Sequence, residues 1–288
     1  MAIMVVSRAS MLLAAAALLA AHAQQPPSTV FTHGEQGFPC IRIPSTLALP
    51  FDVVLSFAAA RSYTGDSCFP SARLPSAKAY SAHVVKRSTD RGMSWGPMQE
   101  IGRTPVGAKI PGSYASRGEW GYYTSSPEGC SVYSQKHGAV LTIWLSDNVS
   151  DATTGLRLWQ SETDISGLEW SAPHPLNISG LLKANVSAGT HISPGNGIEV
   201  QYGAHAGRLL HVLILESSNV LDVVIYSDDG GATWQLSETP LPHNGEAQLA
   251  EIRTASGACT CKAAHYYQQL SVAGQGCRLC PDMPRTRA

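Results

Sequence analysis

Ser88-Thr-Asp90-Arg-Gly92-Met-Ser-Trp95 and Ser227-Asp-Asp229-Gly-Gly231-Ala-Thr-Trp234 write one eight-residue pattern, S-x-D-x-G-x-x-W, twice in the chain. Each copy follows an apolar, strand-like run, Ala82-His-Val84-Val85 and Val223-Val224-Ile225-Tyr226. The pattern reads as a hairpin tip. Asp90 and Asp229 accept from backbone N–H groups a few residues on, and Gly92 and Gly231 supply the positive φ of the turn. Trp95 and Trp234 then open the return strand, each placing an indole across its hairpin. Between them, Ser161-Glu-Thr-Asp164-Ile-Ser-Gly167-Leu-Glu-Trp170 keeps Asp, Gly-x-x-Trp and the following Ser-Ala-Pro, and reads as a degenerate third copy. Repetition in a constant context decides architecture first, and here it predicts a β-propeller.

The rest of the chain agrees with that reading. Short apolar segments alternate with Gly, Pro, Ser and Asp clusters, and no amphipathic helix stands out, so the fold class is all-β. The segments group in fours. Cys40 to Leu47, Asp52 to Ala58, Ala79 to Lys86 and Trp95 to Ile101 form one set. Ser131 to Ser134, Ala139 to Leu145, Leu156 to Ser161 and Trp170 to Pro175 form the next. Thr190 to Val200, Leu209 to Leu215, Leu221 to Tyr226 and Trp234 to Leu241 form the third. The Asp pattern always falls between strands three and four. Ala247 to Ile252 then begins a fourth set, giving about three blades plus one strand.

Three segments follow from composition. Residues 1–23, with Arg8, the apolar run Met11 to Ala21 and Ala21-His-Ala23, read as a secretory signal peptide, the run being too short for a membrane span. Residues 24–253 are the partial propeller. Residues 254–288 lose the strand pattern and hold Cys259, Cys261, Cys277 and Cys280, a tail expected outside the propeller. C-x-C followed by C-x-x-C has zinc-like spacing, but in a secreted chain disulfides or a disordered tail explain it better. With seven cysteines, at least one thiol is unpaired or intermolecular. Asn148, Asn177 and Asn185 head N-x-S sequons, in keeping with a secreted or lysosomal protein of the secretory pathway. A net charge of −1 with 14% charged residues implies no basic face for nucleic acid. No membrane span is expected after signal cleavage, and no metal or cofactor is implied.

In a propeller the first strand of each blade lines the central channel. Arg42, in Ile41-Arg42-Ile43-Pro44, and Glu251, in Gln248-Leu-Ala-Glu251-Ile, are charges inside apolar first strands. Such charges are costly unless they are paired or face a polar funnel. Arg61 ends the second strand, and Asp66 follows in the loop Ser62-Tyr-Thr-Gly65-Asp66, where a turn former is the plain alternative.

From Phe38 to Gly96 the chain resembles the opening of an exo-α-sialidase (neuraminidase). It has the F/Y-R-I-P motif, a strand ending in Arg, a loop Asp and the first Asp box. Ser193-Pro-Gly195-Asn-Gly197-Ile, Val224-Ile-Tyr-Ser227 and Glu246-Ala-Gln-Leu-Ala-Glu251-Ile are similar to sialidase segments in the family's order, so the likeness covers about residues 30–253. It implies a six-bladed propeller and retaining hydrolysis of terminal α-linked sialic acid from glycoproteins, glycolipids or oligosaccharides. Arg42 matches the first of three arginines that grip the sialic acid carboxylate bidentately, and Arg61 would line the pocket. Asp66 would be the acid/base, with a pKa raised by desolvation. The family uses a tyrosine nucleophile, and Glu251 matches the base that activates it.

The departures are equally specific. The family's second arginine falls on the strand after the Glu251 match, and its third arginine and its tyrosine come later. Arg253 is too close to Glu251, Arg278 sits in the tail, and Tyr266 and Tyr267 have no matching context, so none is assigned. The leading expectation is a sialidase sequence truncated or altered after about residue 253. A non-catalytic sialoside-binding propeller is the alternative, and a protein-receptor propeller ranks last.

Overall fold

Apolar runs broken by Gly, Pro and Asp turns become antiparallel strands stacked as blades, and among the described residues there is no α-helix, only a 3-10 turn at Glu35–Gly37. The computed structural model describes residues 28–64, 68, 80–105, 129–145, 158–179, 191–216, 220–237, 246–253 and 259–265. The signal segment, Asp66 and the sequons at Asn148 and Asn185 lie outside them.

The first blade is a four-stranded meander: β1 (Cys40–Ala48), β2 (Val54–Arg61), β3 (Tyr80–Ser88) and β4 (Gln99–Pro105). The second holds β5 (Gly129–Ser134), β6 (Ala139–Leu145), β7 (Leu158–Asp164) and the short β8 (His174–Pro175). β9 (Ile178–Ser179) crosses to the third blade, pairing in parallel with its outer strand. The third blade's inner strand is broken into β10 (His191–Ile192), β11 (Gly195–Asn196) and β12 (Ile198–Glu199), followed by β13 (Leu209–Glu216), β14 (Val220–Ser227) and β15 (Trp234–Leu236). A fourth unit begins with β16 (Ala247–Arg253) and β17 (Cys259–His265).

β17 corrects the expectation that strand pattern ends near Thr254. It pairs with β16 through seven residues, from Ala247↔His265 to Arg253↔Cys259. The segment has no large apolar residue between Cys259 and Ala264, so a reading keyed to apolar runs passes over it. A β-ladder needs only backbone groups.

Successive blades pack face to face, which explains why the middle strands read as continuous apolar runs rather than alternating ones. Leu55, Phe57, Val85 and Ile101 of the first blade meet Val140 and Trp144 of the second. Leu141, Ile143 and Leu158 of the second meet Leu213, Ile225 and Trp234 of the third. Val200, Leu210 and Val224 of the third have Leu249 of the fourth packed against them. The free face of the first blade, with Ile41, Ala58, Ala82 and Val84, is covered by Phe31 and Phe38 from the segment before β1.

Trp95 lies over Gly92 of its own box, as the sequence suggested, whereas Trp170 and Trp234 serve the stacking of blades. Trp170 of the second blade packs edge-to-face on Phe57 of the first, centroids 5.7 Å apart. Trp234 of the third is fully buried and donates to Gln160 Oε1 of the second at 2.9 Å.

Candidate functional site

The two ends of the blades differ in chemistry. At the end where inner strands begin, β1 carries a bulge between Arg42 and Ser45. Ile43 sits there at φ 55, a conformation costly for a β-branched residue, and Pro44 occupies a position where no ladder N–H is needed. Arg42 opposes Ala59, and Cys40 opposes Arg61, so Arg42 and Arg61 are diagonal neighbours on one face of the β1–β2 pair. Arg42 is half-buried and Arg61 fully buried.

Cys40 shares that face, and its sulfur is bonded to Cys68. This disulfide, unassigned by the sequence, closes a separation of 28 residues. By loop-closure entropy such a ring stabilises by about 3–4 kcal/mol. It has a positional effect as well. The loop leaving Arg61 is pinned first by Ser62, which exchanges hydrogen bonds with Tyr80, and then by Cys68. Asp66 lies in sequence between the two pins. The signal was present: one cysteine lies two residues before Arg42 and the other two residues after Asp66.

Glu251 is placed elsewhere. Its carboxylate accepts from the backbone N–H of Gln201 at 2.8 Å and of Tyr202 at 3.2 Å, in the turn that follows β12. That turn belongs to the opposite end of the inner strands. Glu199 of the third blade does the same thing one blade earlier, accepting from Ser134 Oγ at 2.9 Å and from the backbone of Gln135 and Lys136 at 3.1 Å each. Glu199 and Glu251 are therefore equivalent clamps, each fastening its inner strand to the first turn of the preceding blade. The structure does not bring Glu251 to Arg42 and Arg61. The carboxylate at their end of β16 is Glu246, an exposed residue directly before Ala247. Ala247 is fixed there by Ser193, whose hydroxyl accepts from its N–H at 2.8 Å and donates to its C=O at 2.9 Å.

The inner strands converge on Ser193-Pro-Gly-Asn196. β11 pairs in parallel with β5, so this segment bridges from the third blade to the second. Asn196 Nδ2 donates to Thr46 C=O of β1 at 2.9 Å, and Gln248 of β16 donates to Pro194 C=O. Gly195 (φ 120) is obligatory at this crossing, since a Cβ would meet the Gln248 amide at 2.0 Å. First strands do line the centre, and one short segment ties four of them together.

The boxes close the other end. Ser88 Oγ donates to Asp90 at 2.6 Å and accepts from Gly92 N–H at 2.8 Å, while Asp90 accepts from Ser94 N–H at 2.9 Å. The second full copy repeats this with Ser227, Asp229, Gly231 and Thr233. In the degenerate copy Asp164 accepts from Ser166 at 2.8 Å and Gly167 (φ 64) turns the chain. Hydrogen bonds from Ser88 and Ser94 hold the Asp90 carboxyl down at about 2. Burial pulls Asp229 up, but Thr233 and Ser227 outweigh it and the net shift is downward. These carboxylates are fixed as anions by turn chemistry and face no arginine of the site. A cleft of about 590 Å³ at this end is lined by His137, Glu162, Asp164, Ser166 and Glu169. Its Glu162 is already held by Gln160, Ser171 and His174. Among the described residues no His, Cys, Asp and Glu cluster is arranged for a metal.

Comparison with known proteins follows the same line. No family model matches the chain. It is 30% identical over 216 residues to a sialidase of Micromonospora viridifaciens, an alignment covering 72% of this chain and 30% of that protein. Among solved structures, a leech intramolecular trans-sialidase superposes with a TM-score of 0.58 at 16% identity, covering 90% of this chain and 52% of its own. The intramolecular trans-sialidase of Ruminococcus gnavus gives 0.55 at 18% identity, covering 82% and 68%. The NanB sialidase of Streptococcus pneumoniae gives 0.54 at 14%, covering 86% and 53%. The chain thus spans 30% of its curated relative and about half to two thirds of these structures. By sequence and by fold, this chain is a relative of the sialidase family.

Proposed function

We propose that the Arg42 end of the blades carries the carboxylate-gripping and acid/base part of an exo-α-sialidase site, acting on terminal α-linked sialic acid. The observation that supports this most is that Arg42, Arg61 and the Cys40–Cys68 disulfide share one face of β1–β2, with Asp66 two residues before Cys68 in sequence. The half-buried Arg42 guanidinium there offers planar, charge-assisted hydrogen bonds to a sugar carboxylate, with the buried Arg61 beside it on the same face. Asp66 then protonates the departing glycosidic oxygen and afterwards activates water. The base for a tyrosine nucleophile is assigned to Glu246 rather than Glu251, because only Glu246 stands at this end of β16 and Glu251 is spent on the Gln201–Tyr202 turn.

The test is release of 4-methylumbelliferone from its α-sialoside by the purified chain. Asp66→Ala is expected to abolish release and keep sialoside binding, and Arg42→Ala to weaken binding. Wild-type protein that binds sialosides on an array but releases nothing would establish the second reading, a sialoside-binding propeller. No binding and no release would remove both.

We also propose passage through the secretory pathway, supported by the Cys40–Cys68 disulfide, which persists in oxidising compartments. Asn177 is exposed. An N-terminus at Gln24, and a glycosidase-sensitive mass shift lost in Asn177→Gln, are the expected readouts in secreting cells.

A further inference from the structure

The Asp-box end presents large apolar side chains on its turn tips. Phe51 is 82% exposed, Leu168 58%, Met93 54%, Tyr202 46% and Ile252 39%. Phe51 lies in the β1–β2 turn, Met93 and Leu168 in boxes, Tyr202 in the turn after β12 and Ile252 at the far end of β16. They come from the three blades and the β16–β17 hairpin yet share one end. Phe51 and Met93 are on adjoining tips, because Arg91 of the first box grips the Asp52 carboxylate at 2.8 and 3.2 Å and donates its N–H to Asp52 C=O at 3.1 Å. Tyr202 and Ile252 adjoin through Glu251.

Phe51 is the informative one. It and Asp52 are the two central residues of the Pro50–Val53 turn, at φ 61 and 62, a conformation for which Asn-Gly is the cheap solution. A bulky aromatic there is strained and, at this exposure, gains no packing in return. The Arg91 grip holds the strained turn in place. What the arrangement delivers is a phenyl ring fixed outward in solvent.

The tips are separated by turns whose carboxylates, Asp90, Asp164 and Asp229, are held ionised by their own hydrogen bonds. Isolated apolar tips on a polar ground do not make the continuous apolar core that a protein interface needs. Insertion into a bilayer interface requires no such continuity, and Phe, Tyr, Met and Leu are side chains that partition there. We propose that this end of the molecule is a peripheral lipid-contacting surface anchored by Phe51, driven by apolar insertion and not by charge. It leaves the Arg42 end facing away from the membrane.

The experiment is flotation of the full chain with phosphatidylcholine vesicles at low salt and at about 0.5 M salt, where screening reaches only a few ångströms. The chain is expected to float equally in both. Phe51→Ser/Met93→Ser/Leu168→Ser is expected to lower the partition coefficient about tenfold or more. Phe51→Asn separates presentation from folding: it relieves the left-handed strain, so its melting temperature rises while its vesicle binding falls. No flotation of the wild type, equal flotation of the triple variant, or binding that demands anionic lipid and vanishes in salt would each overturn the proposal. So would concentration-dependent self-association lost in Phe51→Ser without any vesicle binding, which would make the surface a contact between copies.

Discussion

At the scale of single residues, burial and hydrogen bonding divide the charged groups by role. Glu251→Gln keeps shape but loses the anion that two backbone N–H groups point at. It is expected to cost about 1 kcal/mol in urea unfolding with no effect on sialoside binding, whereas Glu246→Gln is expected to spare stability and impair turnover. The reverse pattern would return the base to Glu251. His211 gives a pH signature. It is fully buried with Nδ1 2.9 Å from the Cys130 sulfur, and burial drives its pKa from 6.5 down to about 3. The same burial drives the Cys130 thiol up and leaves it un-ionised. Because the folded state keeps His211 neutral, its contribution is complete above the unfolded pKa. It is lost as pH falls from about 6.5 towards 3, on the order of 4 kcal/mol at the bottom of that window. Urea midpoints between pH 7 and pH 4 are expected to fall more steeply for the wild type than for His211→Gln, and parallel slopes would refute the assignment.

At the scale of elements, equal motifs do unequal work. Trp234 is fully buried between two blades, while Trp95 is half-buried and donates to Ser28. Trp234→Ala is expected to destabilise by about 3–5 kcal/mol and Trp95→Ala by clearly less, read from denaturant midpoints. Strand existence and grouping were legible because both faces of each blade are covered and apolar runs mark the ladders. The box geometry was legible because turn chemistry is local: Ser, Asp and Gly at fixed offsets have one good way to satisfy one another. The direction of the indoles was not, since it depends on the blade before. Glu251 misled for the same reason. A carboxylate in an apolar inner strand signals a special position, but which end of the strand it serves is set by a turn 50 residues away in sequence. β17 escaped because backbone pairing leaves no apolar mark.

At the scale of the molecule, three blades and a hairpin are joined through Ser193–Asn196, and the arginine end is tethered by one disulfide. Cys68→Ser removes that tether without touching a core side chain. It is expected to lower stability by about 3 kcal/mol and, where turnover is measurable, to reduce kcat more than the binding of sialosides, since the bond lost is the one two residues after Asp66. Unchanged kcat with lowered stability would leave the disulfide a purely structural staple. That Arg42 and Arg61 share one face was legible in the sequence, because adjacent strands of one hairpin carry them.

The clamps have one further consequence. Glu199 and Glu251, like Trp170 and Trp234, all reach backwards, from each blade to the one before it. For these four contacts, a blade emerging from the ribosome meets partners that have already been translated. In these contacts each blade offers the surface on which the next one sets, the order in which the chain is synthesised.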